Sequence, residues 1–134
     1  MTDQAALRQQ LLAMIQKGRR ALQAAEDHAA HGDADFAASK AYYAVFHLMQ
    51  AVLLTKGRTY SKHAGVISGF SEQFIKPWIV PTAFGEAIQR LRKHRELGDY
   101  GYQLSVEPDE ATRDVHVAAE IVDRLVAYLQ PFVV

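Results

Sequence analysis

The side chains best suited to chemistry lie together in Arg90-Leu91-Arg92-Lys93-His94-Arg95-Glu96-Leu97-Gly98-Asp99-Tyr100-Gly101-Tyr102. Four of the six residues from 90 to 95 are permanent cations, in a chain whose formal net charge is zero. Cations near a helix C-terminus complement its dipole by roughly 0.3–1 kcal/mol each, which accounts for one or two of them. Arg95 needs a different reason. Phe84, Ile88 and Leu91 form an apolar stripe, and four residues further along it stands Arg95. A guanidinium on that face needs a partner, and Asp99 at i+4 is the nearest. Two readings stay open. One is an Arg95–Asp99 pair that closes the helix; the other is an Arg95 aimed into a cleft, ready to bind a phosphate through two parallel hydrogen bonds. Arg90, Arg92 and Lys93 would add to such a phosphate site. Tyr100 and Tyr102 follow between glycines, placed either to stack on bases or to pack on the last helix.

Other chemistries lack their residues. With no cysteine there is no disulfide frame, thiolate metal site or cysteine nucleophile, and a cytoplasmic setting is expected. His28 and His31, the only close histidine pair, have Asp33 as their nearest extra ligand, so no metal site is expected. Neither a Gly-rich phosphate loop nor a Gly-x-Ser-x-Gly elbow occurs, and no cofactor is expected. The N-terminal Met1-Thr2-Asp3-Gln4 lacks a basic region followed by an apolar run, so no signal peptide is expected. Ala41 to Leu54, interrupted by His47 and Gln50, is too short for a membrane span.

Five helices account for the pattern. The first runs from about Asp3 to Ala30 on Leu7, Leu11, Ile15 and Leu22, with a bend expected at Gly18. The second runs from Asp33, its N-cap, to about Lys56. It is apolar nearly all round from Ala41 to Leu54, and four other helices would cover only part of it, so a homodimer is expected. Ser61 caps a third helix reaching about Lys76, with Val66, Ile67, Phe70 and Phe74 on one face. Thr82 caps the fourth, which gives way to an irregular stretch after Gly98-Asp99-Tyr100-Gly101-Tyr102. Pro108 opens the fifth, striped by Ala111, Val115, Ala118, Val122, Leu125 and Leu129. No segment alternates with a period of two. The expectation is all-α, one domain over residues 1–134.

Three blocks now resemble the HEPN family of small prokaryotic helical domains found in toxins and nucleotidyltransferase-associated proteins. They are Ala38-Ser39-Lys40-Ala41-Tyr42-Tyr43-Ala44-Val45-Phe46-His47 with Ala51-Val52-Leu53-Leu54, then Lys62-His63-Ala64-Gly65-Val66-Ile67-Ser68-Gly69-Phe70 with Phe74-Ile75-Lys76, then Arg95-Glu96-Leu97-Gly98-Asp99-Tyr100. Together they span roughly residues 36–102 in the family's order. The resemblance implies an up-and-down helical bundle, usually a homodimer, with its functional motif in the dimer cleft. Many such proteins are ribonucleases that need no metal and use an Arg, a gap of four to six residues, and a His. Members paired with a minimal nucleotidyltransferase show Arg-x4-His-x-Tyr. Arg95 and Tyr102 match that pattern, with Tyr100 at the His position, where a phenol of pKa about 10 serves proton transfer poorly near neutral pH. A literal Arg-x4-His occurs at Arg58 and His63, across the junction of the second and third helices. Lys62 and His63 also fit the second block and could face the same cleft.

Three functions follow from this resemblance. The favoured expectation is a partner of a nucleotidyltransferase in a toxin–antitoxin-type pair. It would hold nucleotide or RNA phosphate with Arg90, Arg92, Lys93, Arg95, Lys62 and His63, and offer Tyr102 as an AMP acceptor. The second is a ribonuclease toxin using Arg95 with Tyr100 or His63, and the third a catalytically degenerate scaffold.

Overall fold

The computed structural model describes residues 3–103 and 105–134. Among them are five α-helices and no strand: α1 (Asp3–Ala30), α2 (Ala34–Leu54), α3 (His63–Phe70), α4 (Ala83–Tyr100) and α5 (Pro108–Val133), with a π-helical turn at Ser71–Ile75 between α3 and α4. They form an up-and-down bundle with α2 at its centre, packed against α1, α4 and α5. No helix among the described residues is long and apolar enough to cross a membrane.

α2 shows why the bundle is arranged this way. Its N-cap Asp33 accepts a hydrogen bond from the Phe36 amide at 3.2 Å. Beyond it, Ala37, Ala38, Ala41, Tyr42, Ala44, Val45, Leu48, Met49, Ala51 and Val52 are fully buried within the single chain. The helix is therefore covered by its own chain, and the apolar character that led to the expectation of a homodimer is already satisfied. What α2 leaves partly open is a narrow stripe of Lys40, Tyr43, His47 and Gln50.

Several boundaries differ from the sequence reading. α1 is one unbroken helix, and Gly18 packs directly against α2. A Cβ there would collide with the Leu48 side chain, so absence of a side chain, rather than flexibility, explains this glycine. α3 starts after Lys62, not Ser61, and its last turn widens into the π-helical turn that carries Phe74 inward. Thr82 precedes α4 but makes no side-chain cap. At its far end α4 runs on through Gly98, Asp99 and Tyr100. Gly98 is buried against the backbone of Asp35, a contact that any Cβ would block, and α4 continues past it because the glycine fits there. Pro108 occupies the first turn of α5, as its fixed φ and missing N–H favour.

Candidate functional site

α4 divides its polar side chains between two faces. Arg92, Arg95 and Asp99, at i, i+3 and i+7, share one face. Arg95 points toward α2, its guanidinium carbon 5.2 Å from the centre of the Tyr42 ring and 5.8 Å from that of Tyr43. Cations over aromatic faces gain roughly 0.5–2 kcal/mol, more as water is excluded. Arg95 is nine-tenths buried, yet the protein satisfies it poorly. Its Nε has no hydrogen-bond partner, and the Asp99 carboxylate stands 3.8 Å from Nη1, an ion pair too long for a hydrogen bond. A buried guanidinium with spare donors is a ready receptor for an anion.

His63, the first residue of α3, completes this corner. Its ring stacks on Phe46 at 4.2 Å and lies nearly parallel to Tyr42 at 5.7 Å. Its Nδ1 is 2.9 Å from the Tyr42 hydroxyl. Burial, helped by the positive charges of Arg95 and Arg92, holds the His63 imidazole below its ordinary pKa. It is therefore neutral near pH 7. In the tautomer that donates Nδ1–H to the Tyr42 oxygen, Nε2 carries a free lone pair. Burial also pushes Tyr42 up to about 12, against the opposing pull of Arg95 and Arg92, so its hydroxyl stays protonated. A neutral base and an under-satisfied cation thus share one aromatic wall.

The other face of α4 serves the fold. His94 is buried, with Nδ1 2.6 Å from Asp114 Oδ2 and Nε2 3.1 Å from Glu110 Oε2, which fastens α4 to α5. Burial raises the Asp114 carboxyl above its usual range, while the hydrogen bond and charge of His94 pull it down. Arg90 acts on Asp114 from the same side.

The basic cluster read from the sequence is therefore spread around the helix. Arg92 joins Arg95 and His63, pairs loosely with Glu96 at 3.9 Å, and lines a cleft of about 330 Å³ beside α3. Lys62 and Lys93 are exposed. Tyr100 is 71% exposed and Tyr102 fully so, and neither ring stacks on another. Among the described residues no group of three or more His, Asp or Glu could hold a metal.

Sequence reasoning passed over Tyr42, Tyr43 and Phe46, which read as core, and reached the pairing of His63 with Arg95 only through the family resemblance. A pattern search along the chain cannot see a pairing made between the start of one helix and the middle of the next. The one available signal was that Arg95 and His63 each stand in a block of the same family resemblance.

A family model described as HEPN domain matches residues 11–128. The chain is 30% identical over 122 residues to a Methanocaldococcus jannaschii protein named "Putative toxin MJ0142", covering 91% of this chain and 83% of that one. It is 36% identical over 89 residues to "Putative toxin MJ0605" of the same organism, covering 66% of each. A Thermotoga maritima protein, named only as a UPF0332 protein, is 34% identical over 89 residues, covering 66% of this chain and 67% of its own.

Proposed function

Since this chain belongs to the HEPN family, we propose that it is a toxin-type protein of the cytoplasm that binds RNA phosphate at Arg95 and cleaves the chain there. The observation that supports this reading is the neutral His63 imidazole beside the under-satisfied Arg95 guanidinium. The names of two relatives as toxins agree with it. His63 Nε2 takes the proton of a ribose 2′-hydroxyl, whose oxygen attacks the adjacent phosphorus. Arg95, assisted by Arg92, stabilises the charge that builds on the phosphorane oxygens. The bond to the 5′ oxygen breaks, that oxygen takes a proton from a water that in turn takes back the proton held on His63, and a 2′,3′-cyclic phosphate remains. Tyr42 acts through His63, holding its tautomer and ring plane.

The test is incubation of the purified protein with RNA in EDTA, with end-group analysis, beside Arg95→Ala and His63→Ala. Cyclic-phosphate ends that disappear in both variants are expected. Cleavage that persists in either variant, or that never occurs, would overturn the assignment.

A second reading draws on Tyr102, whose side chain is fully exposed just beyond α4. Such a phenol suits an acceptor of AMP from a nucleotidyltransferase partner: its oxygen attacks the α-phosphate of ATP and pyrophosphate leaves. Mass spectrometry after mixing with a minimal nucleotidyltransferase and ATP checks this, and an adduct unaffected by Tyr102→Phe would exclude it.

A further inference from the structure

A second concentration of positive charge lies along the open stripe of α2, where the sequence reading placed no site. Lys17, Arg20, Ala21 and Ala24 of α1 face Lys40, Tyr43 and His47 of α2 across a groove of about 450 Å³. Their spacings, i, i+3, i+4, i+7 on α1 and i, i+3, i+7 on α2, put each set on one helix face. The two alanines keep the floor shallow, and Gly18 beside them brings the helices close. No carboxylate lines the groove. Among the described residues, Lys17, Arg20 and Lys40 form no ion pair, although acidic and basic residues balance in the whole chain. Three unpaired cations held around one concavity repel each other and favour an anion between them.

Tyr43 connects this groove to the Arg95 corner. It lines the groove, stands 6.4 Å from His47, and on the other side meets His63 edge-on at 5.9 Å and Arg95 at 5.8 Å. We propose that the α1–α2 groove is a second phosphate subsite, where Lys17, Arg20 and Lys40 hold the backbone of a single-stranded RNA whose next segment lies at Arg95. The inference rests on the reading of Arg95 as an RNA-phosphate site, and it adds a direction. The strand crosses Tyr43, whose half-buried ring offers a face for a base. His47 reports occupancy. Burial, with Lys17 and Lys40, now holds its imidazole below the ordinary value, and a bound phosphate offsets those two charges.

The experiment compares binding of a mononucleotide and of a single-stranded oligoribonucleotide across a salt series. It uses the wild type, Arg95→Ala, and the triple variant Lys17→Ala/Arg20→Ala/Lys40→Ala. All three groove cations are exposed, so the triple variant should fold, as circular dichroism checks. Loss of three phosphate contacts should lower the slope of log affinity against log salt by about 2. Oligonucleotide affinity at moderate salt should fall at least about tenfold, while mononucleotide affinity holds. In NMR titrations, the oligonucleotide should raise the His47 pKa in the wild type. An unchanged slope in the triple variant, with binding abolished by Arg95→Ala, would overturn the groove and leave the proposed function standing. Loss in the triple variant but not in Arg95→Ala would keep the groove and overturn the Arg95 reading. A change in sedimentation with no change in RNA affinity would mark the groove as a self-association face and overturn the inference.

Discussion

His94 and Arg95 are neighbours in the chain, yet their surroundings differ in kind. Both ring nitrogens of His94 face carboxylates, Asp114 at 2.6 Å and Glu110 at 3.1 Å, and the residue is buried between α4 and α5. Arg95 is equally buried but faces aromatic rings, a distant Asp99 carboxylate and no acceptor for its Nε. Burying a polar group is tolerable when partners replace the lost water. His94 meets that condition within the chain. Arg95 does not, and a phosphate would supply what the protein withholds. One helix therefore carries a fastening on one side and an under-satisfied cation on the other, about 100° apart as its geometry dictates.

The sharpest way to break this comparison is to remove the Arg95 side. His63→Ala should slow RNA cleavage by about 100- to 10,000-fold, the usual worth of a positioned acid–base group. Arg95→Ala should cost about 100- to 1,000-fold, as loss of a phosphorane-stabilising donor does. His63→Ala also strips Phe46 of its stack and the buried Tyr42 hydroxyl of a partner, so unfolding should shift by about 1–3 kcal/mol, far less than would abolish the fold. A cleavage assay read beside a melting curve separates the two effects.

The fastening side should respond the other way round. Asp114→Ala leaves His94 buried without its closest partner and should destabilise the protein by about 3 kcal/mol in urea unfolding. Cleavage per folded molecule should be unchanged. Gly98→Ala tests what holds α4 in place. Its new methyl group would meet the Asp35 backbone, and such overpacking should cost about 2 kcal/mol.

The smallest effect is that of pH. His63 and His47 both have pKa values depressed in the folded protein, so the fold favours their neutral forms. The stability linked to them is complete above the ordinary histidine value of about 6.5 and is lost as pH falls through the depressed values. Unfolding followed below about pH 6.5 should show that decline. The double variant His47→Asn/His63→Asn should flatten it.

Much of the bundle was readable because helical periodicity is local. The stripes of α1 and α5 needed no knowledge of the rest of the chain, and Pro108 marked its own place. Arg95 was readable as an anomaly for the same reason, being a cation on an apolar stripe. What the pattern could not supply was its surroundings. Tyr42 and Tyr43 belong to a helix rich in apolar residues and look like core until Arg95 is laid over them. His63 stood in a short Arg58–His63 pattern and, through the resemblance, as a candidate companion of Arg95; the fold sets it near Arg95, on another helix. The reason for a glycine at 98 was not readable, because its need to approach Asp35 arises only in the tertiary structure.

Asp35 itself carries a wider consequence. Its backbone receives Gly98 of α4, and its carboxylate accepts a hydrogen bond from the Val106 amide at 2.8 Å, just ahead of α5. One residue at the start of α2 therefore moors both ends of the link that displays Tyr102. The mooring does not pass through Arg95 or His63. Changes in the tyrosine-bearing link therefore need not disturb the packing of Arg95 and His63, and the reverse holds as well. The link beyond α4 and the corner formed by Arg95 and His63 are structurally separable parts of one bundle.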